Sequence, residues 1–205
     1  RKSRISPEMK GSNSRIGRDF FRRDPVGCAR DLLGCELLWE GCGGRIVETE
    51  AYSVVNDEAC HTFTRPASRH FVQVSKPGTV YVYLNYGMYW LLNFLVKGGT
   101  EDGFVLVRAL EPTVGIERMS HRRGGITGRK LCAGPGRLGM ALGLGREAHG
   151  VDACGNGPLS LGPSAAPVEI LSGRRIGISR AVDYPWRFVI PGNECLSAPI
   201  RIKPA

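Results

Sequence analysis

The stretch that most narrows the fold runs from Thr79 to Leu110. Thr79 to Leu84 alternates, with Tyr81 and Tyr83 on one face and Val80, Val82 and Leu84 on the other, the two-residue period of a strand. Asn85, Tyr86 and Gly87 make a tip, and Met88 to Val96 returns as a mostly apolar strand. Lys97 to Gly103 turns the chain again, and Phe104 to Leu110 is a further buried strand. Strands joined by turns this short pair antiparallel.

The flanking segments add helices and shorter strands. Asp24-Pro25 reads as a helix start, because Asp can cap and Pro suits the first turn; Val26, Ala29, Leu32 and Leu33 follow at helical spacing, and Gly34 ends it. Cys35 to Trp39 and Arg45 to Tyr52 read as two strands joined by the Gly-rich link Gly41 to Gly44. Asp57 to His61 is expected to be a short helical turn and Thr62 to Ser75 irregular. Pro112 to about Arg122 reads as a helix through Val114, Ile116 and Met119. Arg122 to Lys130 reads as a basic, Gly-rich loop, and Gly134-Pro135 as the start of a helix holding Leu138, Met140, Ala141 and Leu142. Short strands are expected near Val168 to Leu171, Arg187 to Ile190 and Ile200 to Ile202. The expected class is α+β: a single domain with a curved, mostly antiparallel sheet, surrounding helices and a protruding β-hairpin.

Charge bears on the partner. Twenty-eight Lys and Arg against 19 Asp and Glu give a net charge of +9, which calls for an anionic partner: nucleic acid, a membrane surface or a phosphorylated substrate. Eight basic and three acidic residues fall between Arg1 and Asp24. The part up to about Ile16 lacks periodicity and reads as a disordered arm, either a solvated tail or a source of sequence-independent phosphate affinity. The seven cysteines include no Cys-x-x-Cys pair, and the four histidines no His-x-x-x-His spacing, so neither a zinc knuckle nor a thioredoxin-type site is written here. Reduced cysteines suit an intracellular protein. No apolar run reaches ~18 residues and no apolar signal core opens the chain, so a soluble, non-secreted protein without membrane association is expected.

Three segments carry candidate chemistry. On a strand, Ile46, Glu48, Glu50 and Tyr52 share one face. Two carboxylates and a tyrosine there are costly to bury without a purpose, and could supply a general base; an exposed edge-strand face is the plainer reading. Four tyrosines between Tyr81 and Tyr89 could form a stacking platform for unstacked bases with a wedge at the tip, or could simply be good strand formers. Gly134-Pro135 could expose backbone N–H groups to a phosphate, or could be an ordinary helix cap.

Together these segments resemble the alkyladenine (3-methyladenine or methylpurine) DNA glycosylase family, from about Phe20 to Ile202. Arg45 to Tyr52 is similar to its Glu-Ala-Tyr motif, and Lys76 to Asn93 to its Lys-Pro-Gly-Thr-x-Tyr-Val-Tyr-x-x-Tyr-Gly-Met-Tyr signature. Val105 to Pro112 resembles a further family segment, and Leu131 to Leu138 its Leu-Cys-x-Gly-Pro-x-x-Leu helix start. Thr64 to Phe71 departs from the family's Thr-Pro-Arg-Asn-like loop, and Gly124 to Gly128 also differs.

The resemblance implies roles. Glu50 would activate the attacking water, and Tyr52, His61, Tyr83, Asn93 and Ala51 would form the pocket for the base. Tyr86 would fill the hole left by the flipped nucleotide. Arg108, Gly134 and Arg137 would contact DNA or its phosphates. The implied domains are a basic arm over residues 1–17 and a glycosylase domain over 18–205. The implied protein is a monofunctional base-excision repair enzyme with no cofactor and no metal. Its partner is double-stranded DNA carrying a damaged purine (3-methyladenine, 7-methylguanine, hypoxanthine or ethenoadenine). It is expected to be a monomer in the bacterial cytoplasm, or in the nucleus if eukaryotic. A cationic base would gain from electron-rich ring faces. No lysine lies next to the Glu50 segment or on the aromatic hairpin, so no lyase step is expected. Two rival readings are a non-catalytic nucleic-acid-binding domain and a metal-dependent nuclease using Glu48, Glu50 and Asp57.

Overall fold

A computed structural model describes residues 15–200, so the expected N-terminal arm lies outside the described residues as far as residue 14. Its last part, Arg15 to Gly17, lies against the sheet: Ile16 is buried and its N–H donates to Leu161 O at 2.9 Å. The chain then forms helix α1 (Pro25–Asp31), strands β1 (Glu36–Trp39) and β2 (Cys42–Ser53), and helices α2 (His61–Thr64) and α3 (Pro66–Val74). Strands β3 (Val80–Asn85), β4 (Tyr89–Val96) and β5 (Gly103–Val114) follow, with helices α4 (Ile116–Arg122) and α5 (Pro135–Leu142). Three short strands, β6 (Leu159–Gly162), β7 (Leu171–Gly173) and β8 (Arg187–Val189), complete it. The class is α+β, as the residue pattern indicates: helices around one curled antiparallel sheet, ordered β3-β4-β5-β2-β1-β6, with β8 bridging β2 and β7.

Turn chemistry sets the registers. β1 and β2 are joined by Glu40 and Gly41, at φ 47° and 72°, which is the two-residue turn whose twist suits a hairpin. Gly43 and Gly44 therefore belong to β2 and not to a link. A Cβ on Gly43 would collide with the carbonyl oxygen of Leu37, and one on Gly44 with that of Glu111. The β3–β4 hairpin closes over Tyr86, Gly87 and Met88, with Asn85 opposite Tyr89.

Several expectations are corrected. Residues 62–64 and 66–74 are helical rather than irregular. Only Ser68, Phe71 and Val72 of α3 are buried, too thin an apolar stripe to announce itself. The segment from Pro112 begins as strand. β5 runs to Val114, and the helix waits for Gly115, whose φ of 69° turns the chain. Pro112 lies beyond both the Gly103 to Leu106 stretch that pairs with β4 and the bridge from Ala109 to Ala133, where that edge of β5 has no ladder partner to ask for its missing N–H. The expected strand at 168–171 lies at Leu171–Gly173, Ile200 is in no strand, and residues 201 and 202 lie outside the described residues.

The main core lies between the sheet and α1, α4 and α5, and includes Trp39, Ile46, Ala51, Phe94, Leu110 and Leu138. A smaller cluster of Phe71, Tyr81, Leu95 and Phe104 lies under α3. At Val47, β2 carries one extra residue against β5, and at Arg108, β5 carries one against β2. These paired bulges change which way the side chains point. Ile46 joins the main core on the same side as Ala51, while Glu48, Glu50 and Tyr52 face the opposite side. Ile46 therefore does not share the carboxylates' face, because a strict two-residue period fails across a bulge.

Candidate active site

Glu48 and Glu50 are both fully buried and serve different ends. Glu48 Oε1 accepts from Arg108 Nε (2.9 Å), Arg187 Nε (2.8 Å) and Ser197 Oγ (2.6 Å), and its Oε2 accepts from Ser197 N (2.6 Å). Burial pushes this carboxyl up, but Arg108 and Arg187 outweigh it and hold it below the ordinary range. Glu48 is thus a fixed counter-charge that orients Arg108.

Glu50 is poised the other way. Its Oε2 accepts from Tyr52 OH (2.7 Å) and lies 3.1 Å from Arg108 Nη1, and its Oε1 accepts from Ile176 N (2.8 Å). Burial raises its pKa above the ordinary value of 4.5 against the opposing pull of Arg108 and Tyr52. A carboxylate offers about four acceptor positions, so two hydrogen-bond donors and one ion pair leave room for a water. A buried carboxyl with a raised pKa and one free lone pair is equipped to take a proton.

Tyr52, Arg108 and Ile176, the three residues that touch the Glu50 carboxylate, line a cavity of about 530 Å³, a size suited to a small-molecule or base-sized guest. Its walls also include His61, Tyr81, Tyr83, Asn93 and Pro135, and Tyr86 stands at its edge. His61 packs edge-on to Tyr83, with centroids 4.1 Å apart, and its Nδ1 lies 3.2 Å from Tyr81 OH. Burial and then Arg65 push the His61 pKa down to about 4, so the ring is neutral near pH 7. Asn93 is held by its Nδ2, which donates to Tyr81 O and Leu91 O, both at 3.2 Å. Tyr86 is 81% exposed at a φ of 51°, a backbone state that non-glycine residues seldom adopt.

Glu50, Tyr52, His61, Tyr83, Asn93, Tyr86 and Arg108 are therefore gathered around one cavity. Three other candidates are not. Ala51 points into the main core, its carbonyl accepting from Arg175 Nη1 at 3.0 Å. Gly134 is buried at the start of α5, and Arg137 is exposed, its Nη1 donating to Ala133 O at 3.1 Å. In α5, Gly136 and Gly139 face Tyr89 and Trp90 so closely that a Cβ on either would collide with them. Close packing of α5 on β4 accounts for these glycines.

Arg175, Arg187 and Ser197 carried no signal in the sequence, and Asp57 was singled out only for a different role. Arg175 and Asp57 form a fully buried two-point pair at 2.6 and 2.7 Å, and the Arg175 guanidinium lies 4.6 Å from the Tyr52 ring centroid. Behind it, Tyr184 and Trp186 stack with centroids 4.1 Å apart. Arg187 and Ser197 come from the C-terminal segments. An Arg-Arg pair at 174–175 and an arginine in a three-residue strand have nothing local to mark them. The nuclease alternative finds little support, because Glu48, Glu50 and Asp57 are each engaged by arginine. No group of three metal-binding side chains is assembled among the described residues, and no helix there is long and apolar enough to cross a membrane.

A curled antiparallel sheet thus carries a buried glutamate behind an aromatic pocket with a hairpin tip at its rim, and the family match and relatives make the chain a DNA glycosylase, a hydrolase of N-glycosyl bonds. Residues 19–194 match the family model for methylpurine-DNA glycosylase, and the chain belongs to that family. A relative from Rhizobium johnstonii, provisionally named 3-methyladenine DNA glycosylase, is 48% identical over 184 residues, 90% of each chain. One of the same name from Rhizobium etli is 49% identical over 186 residues, 90% of this chain and 89% of its own. Another, from Nitrosospira multiformis, is 45% identical over 181 residues, 88% and 93%.

Proposed function

We propose that this protein is a monofunctional DNA glycosylase that flips a damaged purine from duplex DNA and hydrolyses its glycosidic bond with a water activated by Glu50. The observation that carries this reading is the Glu50 carboxylate, anchored by two hydrogen bonds and an ion pair directly behind an aromatic pocket. Basic side chains grip the phosphates first, with strong salt dependence. Tyr86 enters the stack at the vacated position, at a cost of a few kcal/mol for extrusion that is smaller for damaged or mispaired bases. The base then lies against Tyr52 and Tyr83 with His61 beside it, and Asn93 crowds the exocyclic amine of guanine.

The Glu50 carboxylate takes a proton from water as it attacks C1′ and the C1′–N bond breaks; a cationic purine departs as the neutral base, and a neutral purine departs with a proton taken up on its ring. The carboxylate's negative charge also stabilises the oxocarbenium-like sugar, in the manner of an inverting glycosidase. Arg108, tied to Glu48 through Nε and set 3.1 Å from Glu50 through Nη1, holds the Glu50 carboxylate in position. Substrates within reach are 3-methyladenine, 7-methylguanine, hypoxanthine and ethenoadenine. The protein acts as a monomer in the bacterial cytoplasm, or in a nucleus if eukaryotic. Gly134 and Arg137 contact phosphate beside the hairpin. None of the cavity's lining residues is a lysine, which supports hydrolysis without a lyase step.

The test is product analysis on a hypoxanthine-containing duplex. Free hypoxanthine and an abasic strand that breaks only after alkali are expected. Strand breakage without alkali, or a borohydride-trapped protein–DNA adduct, would contradict the reading.

A further inference from the structure

The α2–α3 segment, where the sequence departs from the family pattern, places an arginine against the pocket wall. Arg65 caps both helices. Its N–H donates to His61 O at 2.8 Å, and its carbonyl accepts from Ser68 N at 3.0 Å. With the backbone fixed on both sides, its guanidinium lies 5.4 Å from the centroid of Tyr83, the ring that meets His61 at 4.1 Å. The other arginines around this cavity are matched by carboxylates: Arg108 by Glu48 and Glu50, Arg175 by Asp57, and Arg180 by Glu58 at 3.6 Å. Among the described residues Arg65 has no ion-pair partner; its charge is directed at an aromatic ring of the base pocket.

We propose that Arg65 is a specificity-determining residue that disfavours purines carrying a positive charge relative to neutral ones. The inference rests on the proposed function and names the class of base within it. A cationic base is attracted to an electron-rich ring face, and that attraction is what a tyrosine-lined pocket offers it. When a guanidinium already polarises the same ring, a second cation gains less and meets a like charge within the reach of Coulomb repulsion. A neutral purine stacks on Tyr83 by dispersion and area burial, which Arg65 does not oppose. The shift of the His61 pKa down to about 4, caused by burial and secondarily by Arg65, agrees with a local field that resists added positive charge.

The test compares single-turnover release of 3-methyladenine from methylated duplex DNA, a base that leaves a cationic nucleoside, with release of hypoxanthine from an inosine duplex. Wild type, Arg65→Gln and Arg65→Lys are used as full chains. Arg65 is exposed, so all three should fold. The ratio of 3-methyladenine to hypoxanthine rates should rise about three- to tenfold in Arg65→Gln, a range set by a partly screened charge, and stay near wild type in Arg65→Lys. An unchanged ratio in Arg65→Gln, including a parallel fall of both rates as expected for a mere phosphate contact, would overturn the inference. So would Arg65→Lys behaving like Arg65→Gln. Release of neither base by wild type would instead contradict the proposed function, and this inference with it.

Discussion

Asp57→Asn tests whether the network behind the pocket is held by charge. Both members of the Arg175–Asp57 pair have fully buried side chains, joined by hydrogen bonds of 2.6 and 2.7 Å. Asp57 also accepts from Ser53 N at 3.1 Å and Ala59 N at 3.2 Å. An asparagine amide turned toward Arg175 sets donor against donor and leaves a buried guanidinium without a counter-charge. Breaking such a pair costs about 3–5 kcal/mol. For a domain of this size a kcal/mol moves Tm by about 2–4 °C, so Tm should fall by roughly 6–20 °C. Arg175 also packs on Tyr52 and precedes Ile176, whose N–H anchors Glu50, so base release well below the transition should fall too. Calorimetry gives the first quantity and single-turnover excision the second. Adding Arg175→Met to Asp57→Asn removes the orphaned charge and should recover most of the lost stability. A single-variant cost under about 1 kcal/mol, or a double variant no better than the single one, would refute the reasoning.

Other outcomes follow from the same site. Glu50 must be ionised to act as a base, and burial raises its pKa, so excision should climb with pH through a value above 4.5; Glu50→Gln should lose that limb in a pH–rate series. Glu48 is held below the ordinary range, chiefly by Arg108 and Arg187 against the effect of burial. Its contribution to stability is therefore present above the unfolded carboxylate pKa and lost as pH falls through the lower folded value. Glu48→Gln should flatten that acid loss in Tm-versus-pH curves. Tyr86→Ala should slow excision from duplex DNA by about tenfold or more while changing release from single strands little, which paired rate measurements would check.

Much of this architecture could be read from the residues, and the failures have local causes. The β3–β4 hairpin and β5 followed from alternation and turn residues, and α5 from its Gly-Pro start. β2 was visible as a strand, but not the bulge at Val47 that sends Ile46 into the core and Glu48 to the site, because a bulge leaves no mark on composition. Helix α3 was hidden by its polar sequence, and β5's extension past Pro112 by proline's association with helix starts. Strand alternation singled out Glu50, Tyr52 and Tyr83, but their roles, and His61 and Asn93 altogether, came from the family resemblance. Their supporting partners, Arg175 with Asp57 and Arg187 with Ser197, join segments more than a hundred residues from the carboxylates they serve or close to the chain's end. Such long-range pairings have no periodicity to read.

The central claim is that Glu50 activates water for base hydrolysis, and base release tests it most directly. Duplexes carrying one hypoxanthine, ethenoadenine or alkylated adenine are incubated in EDTA with wild type and with Glu50→Gln, and free base and alkali-labile sites are quantified. The account predicts release by wild type and a fall of ~10² or more in the variant, with DNA binding intact. Undiminished release by a folded Glu50→Gln protein, or none from any lesion by a wild-type protein that binds DNA, would contradict it.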